Sequence, residues 1–431
     1  MLSKKIKILV FPGGTENGLE IFKSLSKDKN IELISASDSS INHAEYAFKR
    51  NFILPNINDI SCIDKLNELV ETEKVDYIFP ANSSVVSFLS ESRDDLFCRL
   101  ILQDKTTVSV SASKSKTYQL LENIIETPKT YKRIADIAGF PVFVKPDEGY
   151  GSQGAMLVER IEHLNSDHEG EKYIICEYLP GCEYTIECFS SNEGNLMYCS
   201  ARTRQRIRMG TSMHSEFAED HIQGSSREIA SKILTKLNID GLWFFQLKER
   251  SDGTLVLLEI ETRVAGTMAF SRMRGVNLPL LYIYYLEGKV FEINPESHNV
   301  IIDRALDNRF KLDIFYEHAY IDLDDTIVIK GKVNLEMVSF IYQCKNNSVR
   351  LTLITKSLES DLEKYLKSYS LCGLFDEVIW LSESDNKEDY ITSPNSIFID
   401  DSFSQRMSVS KKCCIPTFDP SMVESLIDKR L

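Results

Sequence analysis

The sequence predicts a multidomain protein that combines the α/β and α+β classes. Its 431 residues are enough for about three domains of ordinary size. Short apolar runs alternate with amphipathic stretches near both ends of the chain, and this alternation is typical of parallel α/β sheets. The middle of the chain instead pairs strand-like runs around glycine loops, which favours an α+β region. We expect domains over residues 1–105, 106–312 and 313–431.

Composition and charge exclude several classes of protein. The chain is 43% hydrophobic and 26% charged, with a formal net charge of −14, which is typical of a globular protein. Binding to nucleic acid in general depends on clustered positive charge, so the acidic balance predicts no nucleic-acid partner. No apolar run approaches the roughly 20 residues that span a bilayer, and the N-terminus lacks the apolar core of a signal peptide. We expect a cytoplasmic enzyme with no membrane partner.

The first hundred residues predict a Rossmann-like lobe. Strands are expected at Lys7–Phe11, Ile31–Ala36 and Tyr77–Pro80, with an amphipathic helix ending near Leu25 and another over Ile63–Val70. The loop after the first strand reads GGTENG rather than GxGxxG. It is therefore weak evidence for a dinucleotide site, and a scaffold lobe is the simpler interpretation.

Residues 149–154 match GxGxxG, but their surroundings differ from a dinucleotide fingerprint. That fingerprint needs a helix after the loop, whereas Pro141–Lys145 before it and Ala155–Glu159 after it both have strand patterns. Strand, glycine loop and strand together predict a flap whose backbone N–H groups close over nucleotide phosphates. Lys145 ends the first strand, where its side chain can reach a phosphate. The alternative is a plain glycine-rich hairpin.

Two later strand regions carry further candidate groups. Ile174–Pro180 is a buried-strand pattern whose end can offer backbone hydrogen bonds to an adenine, and Glu183 can hold ribose hydroxyls. On the strand Leu255–Glu261, Glu259 and Glu261 are two residues apart, so both carboxylates point to one face. Mg²⁺ between them would offset their repulsion. The preceding strand supplies Gln246 as a further oxygen ligand, although a solvated sheet face is the alternative.

In this order the motifs resemble those of the ATP-grasp superfamily, and in particular the carboxylate–amine ligases similar to carbamoyl-phosphate synthetase. The resemblance extends over roughly residues 1–312. It rests on Lys116 and on the segments VFVKP-x-x-GYGSQG, CEYLPGCEYTIE, FFQLK and LLEIETR. It implies ATP and Mg²⁺ as cofactors, with Mn²⁺ as an alternative ion, and it implies an acyl phosphate that an amine then attacks.

The resemblance also implies a role for each matched residue. Residues expected to contact ATP are Lys116 and Lys145 at the phosphates, Gly149, Gly151, Ser152 and Gly154 in the flap, Glu177, Tyr178 and Leu179 at the adenine, and Glu183 at the ribose. Residues expected to bind metal are Gln246, Glu259 and Glu261, with Arg263 beside the transferred phosphoryl group. Glu261 stands where the family usually has asparagine, which leaves the number of metal ions open.

Four arginines alternate with other residues between positions 202 and 208. On one strand, Arg202, Arg204, Arg206 and Arg208 would all project from the same face. Guanidinium groups pair with phosphate and carboxylate, so this row predicts an anionic and even phosphorylated substrate. Arg272 and Arg274 follow the metal strand and are expected to join them. The alternative is a solvated edge strand that carries charge.

The C-terminal region places acidic residues at the ends of predicted strands. Asp322 and Asp324 follow one strand, Thr355 ends a second, and Asp400 and Asp401 end a third, with Lys387 before it. Ligand sites of α/β sheets lie at the carboxyl ends of their strands. These residues therefore predict a site for phosphate and Mg²⁺, in which Asp322 is a candidate nucleophile and Asp324 a candidate acid and base.

This region resembles the haloacid dehalogenase-like (HAD-like) phosphatases over residues 319–406. The resemblance implies an aspartyl-phosphate mechanism in which Asp322 attacks phosphorus and Asp324 serves the leaving group and the water. It implies that Thr355 and Lys387 steady the phosphate, and that Asp322, Asp324, Asp400 and Asp401 surround the metal. The short spacing between the motifs predicts a Rossmann-like domain without a cap.

Together the two resemblances imply a bifunctional enzyme that joins a small carboxylate to an amine with ATP and carries a fused phosphatase. One alternative is a phosphatase whose ATP-grasp part only senses nucleotide, and another is a scaffold without activity. A homodimer is a further expectation from the family. The sequence leaves open which carboxylate, amine and phosphate ester are used.

Overall fold

A computed structural model of the protein describes residues 5–149, 153–208, 210–358 and 360–430. The chain divides into two compact units, one ending at Leu306 and the other running from Asp307 to Arg430. The first unit therefore contains both of the segments expected as separate domains before residue 312. Within the described ranges, no helix is both long and apolar enough to cross a membrane.

The first unit begins with a parallel α/β lobe. Its elements are β1 (Ile6–Phe11), α1 (Glu16–Leu25), β2 (Ile31–Ser37), β3 (Asn51–Ile53), α2 (Cys62–Glu73), β4 (Tyr77–Pro80), α3 (Ser83–Glu91) and β5 (Arg99–Leu100). The strands pair in parallel in the order β3-β2-β1-β4-β5. Strand β1 is buried on both faces, since Ile8 and Val10 belong to one core and Leu9 and Phe11 to another. The predicted parallel lobe is confirmed.

A small antiparallel sheet follows. Its elements and the helices before it are α4 (Lys105–Ala112), α5 (Lys114–Leu121), β6 (Thr130–Tyr131), β7 (Val142–Pro146), β8 (Met156–Val158) and β9 (Tyr173–Glu177). The strand order is β6-β9-β7-β8. Strands β7 and β8 pair in antiparallel register, with Val142 opposite Val158, so strands stand on both sides of the glycine loop as predicted.

A large four-stranded antiparallel sheet of long strands lies in the C-terminal part of the first unit. The elements are β10 (Glu183–Ser190), β11 (Leu196–Thr203), β12 (Arg206–Arg208), β13 (Thr211–Glu216), α6 (Asp220–Leu234), β14 (Gly241–Glu249), β15 (Leu255–Glu261), α7 (Ala269–Met273), α8 (Leu278–Leu286) and β16 (Ile301–Asp303). Strands β11-β10-β14-β15 form an antiparallel sheet, and β12-β13-β16 form a second.

Aromatic side chains of β14 alternate between the two faces of this large sheet, and each face packs against a hydrophobic core. Trp243 and Phe245 are stacked with ring centroids 5.5 Å apart in one core, while Phe244 packs into the core on the other face. Gly241 begins the strand with a φ of +72°, and a Cβ there would lie 2.0 Å from the Tyr282 ring. Only glycine satisfies both the backbone and the packing at this position.

The second unit is a parallel sheet with helices. Its elements are β17 (His318–Ile321), β18 (Val328–Ile329), β19 (Lys332–Val333), α9 (Leu335–Asn346), β20 (Arg350–Thr355), α10 (Leu362–Ser368), β21 (Glu377–Trp380), β22 (Ser396–Ile399), α11 (Phe403–Cys413) and β23 (Thr417–Phe418). The order β21-β20-β17-β22-β23 is parallel throughout. Ala319 and Ile321 enter one core and Tyr320 the other, so the central strand β17 is covered on both faces.

Candidate active sites

The first unit contains a cleft between its small antiparallel sheet and the face of β14 and β15. Its lining includes the apolar side chains of Phe143, Leu179 and Leu258 and the cationic side chains of Lys145 and Lys248. A cleft lined by both kinds of side chain fits a ligand with a flat base and a phosphate chain.

Lys145, on β7, is held in this cleft by a tyrosine. Its Nζ donates a hydrogen bond to the Tyr118 hydroxyl at 2.8 Å, and that hydroxyl donates to the Leu258 carbonyl at 2.7 Å. Burial raises the pKa of Tyr118 well above its ordinary value, so the phenol keeps its proton. Lys145 is thereby kept as a positioned cation facing the cleft.

On α5, the lysine that lines the cleft is Lys114 rather than Lys116. Lys114 is buried and donates from Nζ to the carbonyls of Asp147 and Gly149, both at 3.2 Å. Lys116 is exposed and donates to the Ser109 hydroxyl at 3.2 Å. Residues two apart on a helix point in nearly opposite directions, so α5 can turn only one of these lysines inward. Sequence reasoning missed Lys114, although the SKSK pattern contains both.

Lys114 takes its position from a network at the start of α5. The Asp147 carboxylate accepts a hydrogen bond from the Ser113 hydroxyl at 2.6 Å and another from the Ser115 backbone N–H at 2.7 Å. Burial lowers the pKa of Lys114, and nearby Lys145 adds to this effect, whereas Glu259 opposes it. Two lysines converging on two carboxylates indicate a site built for a phosphate chain and its cation.

The flap begins and ends on residues that the structure describes. Gly149 lines the cleft with a φ of +138°, and Gly154 has a φ of +71°. A Cβ at Gly154 would lie 3.2 Å from the Pro146 ring, so glycine is favoured by both backbone and packing. The predicted contacts of Gly151 and Ser152 lie outside the described residues.

The predicted adenine segment follows β9. Leu179 is buried and lines the cleft together with Tyr178. Glu177 also borders the cleft, but its carboxylate accepts hydrogen bonds from the Lys129 backbone N–H and from Arg250, each at 2.9 Å. The Glu177 side chain is thus engaged in an ion pair, and Tyr178 and Leu179 remain the candidate contacts of an adenine.

Glu183 also lines the cleft. Its carboxylate is 2.7 Å from the Nε of Arg204 and 3.4 Å from the Nζ of Lys248. A carboxylate that is held by two cations is fixed in one place, and it remains able to accept from a hydroxyl group.

The predicted metal ligands share one region of the sheet. Gln246 is directly opposite Glu259 in the β14–β15 register. Burial raises the pKa of Glu261, Arg263 opposes that rise, and the neighbouring Glu259 carboxylate adds to it. Glu261 accepts from the Ser83 hydroxyl at 3.0 Å and from Arg263 at 2.9 Å. A divalent cation would relieve the repulsion between the two carboxylates, so this donor set fits Mg²⁺.

A second cavity adjoins the cleft and extends to the N-terminal lobe. It shares Gln153, Arg204, Gln246 and Glu259 with the cleft. Its other walls are formed by residues at the starts of α1 and α3 and by two more arginines, namely Thr15, Glu16, Asn17, Asn82, Arg202 and Arg263. A molecule in this cavity would lie beside the proposed phosphate and metal groups.

The row of four arginines is not a single strand face, and this prediction is wrong. Strand β11 ends at Thr203 and β12 starts at Arg206, so the chain leaves the strand at Arg204. Only Arg202 and Arg204 of the four border the second cavity. Arg206 pairs instead with Asp303 at 2.8 Å, and both Arg206 and Arg208 are exposed.

The two later arginines are also engaged elsewhere. Arg272 donates to the Glu20 carboxylate at 3.0 Å, and Arg274 donates to the Glu296 carbonyl at 3.0 Å while its guanidinium covers the Phe217 ring. Neither borders the second cavity. Arg263, Arg202 and Arg204 therefore form the cationic wall of that cavity.

The second unit gathers its acidic residues at the carboxyl edge of its sheet. Asp322 follows β17, and Asp400 and Asp401 follow β22, its neighbour in the sheet. Carboxylate oxygens of these three residues lie within 4.8 Å of one another. Oxygen atoms at this spacing fit Mg²⁺, and the metal site itself stays a prediction.

Lys387 joins two of these carboxylates. Its Nζ lies 2.5 Å from Oδ1 of Asp322 and 2.6 Å from Oδ2 of Asp400. Burial raises the pKa of Asp322 to about 7, and Asp400 adds to the rise, whereas Lys387 opposes it. Burial opposes the charged form of Lys387, but the two carboxylates raise its pKa, so it remains a cation.

The remaining predicted residues lie around this cluster. Asp324 accepts a hydrogen bond from the Tyr365 hydroxyl at 3.4 Å, and it lies outside the three-carboxylate group. The Thr355 side chain is buried at the end of β20 and accepts from the Ser357 backbone N–H at 3.0 Å. Thr326 was not predicted, and its hydroxyl accepts from the Asp401 backbone N–H at 3.0 Å.

Comparison with known families matches part of the first unit. Residues 169–307 match a family described as "ATP-grasp in the biosynthetic pathway with Ter operon". Over 80 residues the chain is 32% identical to a D-alanine–D-alanine ligase from Fusobacterium nucleatum subsp. nucleatum. That match covers 18% of this chain and 28% of the length of that enzyme.

Solved structures share the fold over a larger part of the chain. The biotin carboxylase domain of 2-oxoglutarate carboxylase from Hydrogenobacter thermophilus, a dimer with MgADP and bicarbonate, has a TM-score of 0.56 at 13% identity and covers 67% of this chain and 71% of its own. N5-carboxyaminoimidazole synthetase from Staphylococcus aureus, with ADP, has a TM-score of 0.55 at 16% identity and covers 70% and 81%. Residues 169–307 are thus similar to an ATP-grasp family, and these neighbours share the fold of a larger part of the chain.

Proposed function

We propose that the first unit is an ATP-dependent carboxylate–amine ligase. The observation that carries this proposal is the convergence of Lys114, Lys145 and Glu259 in one cleft that opens into a cavity with an arginine wall. The cleft offers apolar and cationic side chains that ATP would contact. The adjoining cavity, which Arg263 borders, would hold the carboxylate beside the γ-phosphate.

Each group would have a defined task. Tyr178 and Leu179 would hold the adenine, Lys114 and Lys145 the phosphates, and Gln246, Glu259 and Glu261 the Mg²⁺. Bound Mg²⁺ would offset the negative charge of the phosphate oxygens. Arg263 would orient the substrate carboxylate, whose attack on the γ-phosphorus releases ADP. The flap beginning at Gly149 would keep water from the reactive mixed anhydride.

In the second step the amine would react with the acyl phosphate. An amine nitrogen attacks the acyl carbon of the acyl phosphate, the C–O bond to phosphate breaks, and inorganic phosphate leaves as the amide forms. Positioning and charge stabilisation supply most of the rate. The cavity wall formed by Arg202, Arg204 and Arg263 favours a carboxylate substrate that carries further negative charge.

Trapping with hydroxylamine tests this proposal without knowledge of the natural amine. The protein is incubated with ATP, Mg²⁺, hydroxylamine and a panel of carboxylates that begins with amino acids, and the acyl hydroxamate is measured. We expect hydroxamate with a subset of carboxylates, and none in Glu259→Gln. The matched control is Glu193→Gln, which changes an exposed carboxylate in the turn before β11. If no carboxylate of the panel gives a hydroxamate, the proposal is contradicted.

We propose a second activity for the C-terminal unit, a Mg²⁺-dependent phosphatase of the HAD-like type. The observation that favours it is Lys387, which bridges Asp322 and Asp400 beside Asp401 at the edge of a parallel sheet. Asp322 would attack phosphorus while the ester oxygen takes a proton from Asp324 and leaves. Water would then attack the aspartyl phosphate, Asp324 would take its proton, and inorganic phosphate would leave.

Phosphate release from acetyl phosphate tests this second proposal. We expect Mg²⁺-dependent release that is lost in Asp322→Asn and kept in Asp325→Asn. Asp325 is a suitable control because its φ of +55° is a conformation that asparagine also adopts readily. The regulator alternative, in which ATP binds without being hydrolysed, predicts phosphatase activity that responds to ATP and no hydroxamate in the trapping assay.

A further inference from the structure

We propose that the C-terminal site selects phosphate esters whose leaving group carries a flat aromatic ring, and that Trp380 recognises this ring. The inference rests on the phosphatase proposed above and adds the substrate class and the residue that determines it. It follows from where Trp380 lies, how it is held and what surrounds it.

Trp380 is tied to the strand end that would hold the phosphate. It is the last residue of β21 and lies opposite Thr355, the last residue of β20, in parallel register. Its indole Nε1 donates to the Ser357 carbonyl at 3.1 Å, and the Ser357 N–H donates to the Thr355 hydroxyl at 3.0 Å. A short chain of hydrogen bonds therefore fixes the indole beside the phosphate position.

The fixed indole remains open to solvent. Trp380 is 49% exposed although its N–H is satisfied, so an aromatic surface of fixed orientation is available beside the site. A ring that is already oriented loses little conformational entropy when another ring stacks on it. Aromatic stacking adds specific attraction beyond the apolar area that it buries.

A second aromatic side chain marks the path of the leaving group. The Tyr365 hydroxyl donates to Oδ1 of Asp324, the residue that would protonate the ester oxygen. Tyr365 belongs to α10, which connects β20 to β21 and so to Trp380. Tyr365 would thus lie near the ester oxygen of the leaving group.

Two cationic side chains near this edge are engaged by backbone carbonyls. Lys356 donates to the Glu383 carbonyl at 3.3 Å, and Arg406 donates to the carbonyl of Asp400 at 2.6 Å and to that of Asp401 at 2.7 Å. Neither of these contacts involves Trp380, whose exposed ring stays available to a leaving group.

The test compares benzyl phosphate with cyclohexylmethyl phosphate. Both are esters of a CH₂–O group, so they differ in the ring and little in the reactivity of the P–O bond. We expect wild-type protein to show a KM for benzyl phosphate lower by about tenfold, in line with the stacking of rings on aromatic residues. In Trp380→Leu the two KM values should become equal, and Trp380→Phe should retain part of the difference.

Acetyl phosphate serves as the control because it has no ring. Trp380→Leu should change kcat/KM for acetyl phosphate and for cyclohexylmethyl phosphate by the same factor, so that any additional loss with benzyl phosphate reports the ring alone. Equal KM values for the two esters in wild-type protein would overturn the inference, and so would a preference that persists in Trp380→Leu. Absence of phosphate release from all three compounds would instead contradict the phosphatase itself.

Discussion

The Nε of Arg202 donates to Oε1 of Glu187 across 3.0 Å, and only 2% and 1% of these two side chains are exposed. The same guanidinium donates to the Ser215 hydroxyl at 3.2 Å, and Glu187 also accepts from Ser271. Burial raises the pKa of Glu187 and lowers that of Arg202, so each charge depends on the other. One wall of the substrate cavity is thus built on a buried ion pair.

We predict that Arg202→Met lowers the free energy of unfolding by about 3 kcal/mol or more, because it leaves the Glu187 charge buried without its partner. Denaturant unfolding of the full chain measures this change. The double variant Glu187→Met/Arg202→Met should be less destabilised than the single one, since no charge is left unpaired.

The matched control is Arg206→Met. Arg206 pairs with Asp303 at the surface, where such pairs contribute about 0–1 kcal/mol. Equal losses in Arg202→Met and Arg206→Met would contradict a structural role for the buried pair.

Lys114 and Lys116 provide a second prediction. We expect Lys114→Met to weaken ATP binding by tenfold or more, because it removes a buried cation from the cleft. Lys116→Met should leave the affinity within about twofold, since that side chain is exposed. Isothermal titration calorimetry with MgATP measures both. A larger loss in Lys116→Met than in Lys114→Met would restore the assignment that the sequence motif implied.

The metal cluster of the second unit provides a third prediction. Chelation of divalent ions should abolish phosphate release from acetyl phosphate, and addition of Mg²⁺ should restore it, because Asp322, Asp400 and Asp401 supply the ligands. Asp401→Asn should raise the Mg²⁺ concentration needed for half-maximal rate by about tenfold or more. Full activity in a chelator would show that these carboxylates serve another purpose.

The lowered pKa of His318 predicts a pH dependence for the stability of the second unit. Burial lowers its pKa, and Arg350 adds to this effect. Between the lowered value and the ordinary value of about 6.5, the unfolded chain binds more protons than the folded one. The stability that neutral His318 contributes to the second unit should therefore be full above about pH 6.5 and decrease as the pH falls below it. The raised pKa of Asp322, about 7, has the opposite effect in the same range, but it acts equally in wild-type protein and in a His318 variant.

Hydrogen exchange of β17 peptides in the full chain, corrected for the intrinsic effect of pH on exchange, measures this change. As the pH falls below about 6.5, His318→Gln should lose less protection than wild-type protein, because it removes the titrating ring that bonds Thr352 at 2.8 Å. His163→Gln changes an exposed histidine of the first unit and should behave as wild-type protein does. Equal changes of protection with pH in wild-type protein and in His318→Gln would contradict a titrating role for His318.

Regular elements were predictable from the sequence because their signals are local. Strand β4 has the predicted bounds Tyr77–Pro80, and strands on both sides of the glycine loop follow from the pattern of residues 141–159. The order of the C-terminal motifs predicted the neighbours Asp322 and Asp400, since carboxyl ends of adjacent parallel strands must meet. In these cases the spacing of residues along a strand and the order of the strands in the sheet determine where the side chains lie.

The errors arise where geometry depends on contacts distant in sequence. The choice between Lys114 and Lys116 depends on how α5 is rotated, and Asp147 sets that rotation from 32 and more residues away. The arginine row fails because the strand ends before Arg204, whose guanidinium turns to the Gly210 carbonyl at 2.7 Å. Period-two spacing predicts a common face only while the strand continues.

The most direct test of the proposed ligase is the amine-dependent release of ADP by the Asp322→Asn protein, in which the proposed phosphatase is silent. With the carboxylate that gives a hydroxamate and a panel of amines, we predict ADP and amide product in equal amounts, and neither in Asp322→Asn/Glu259→Gln. Release of ADP that does not depend on amine, or that survives Glu259→Gln, would contradict a ligase built on this cleft.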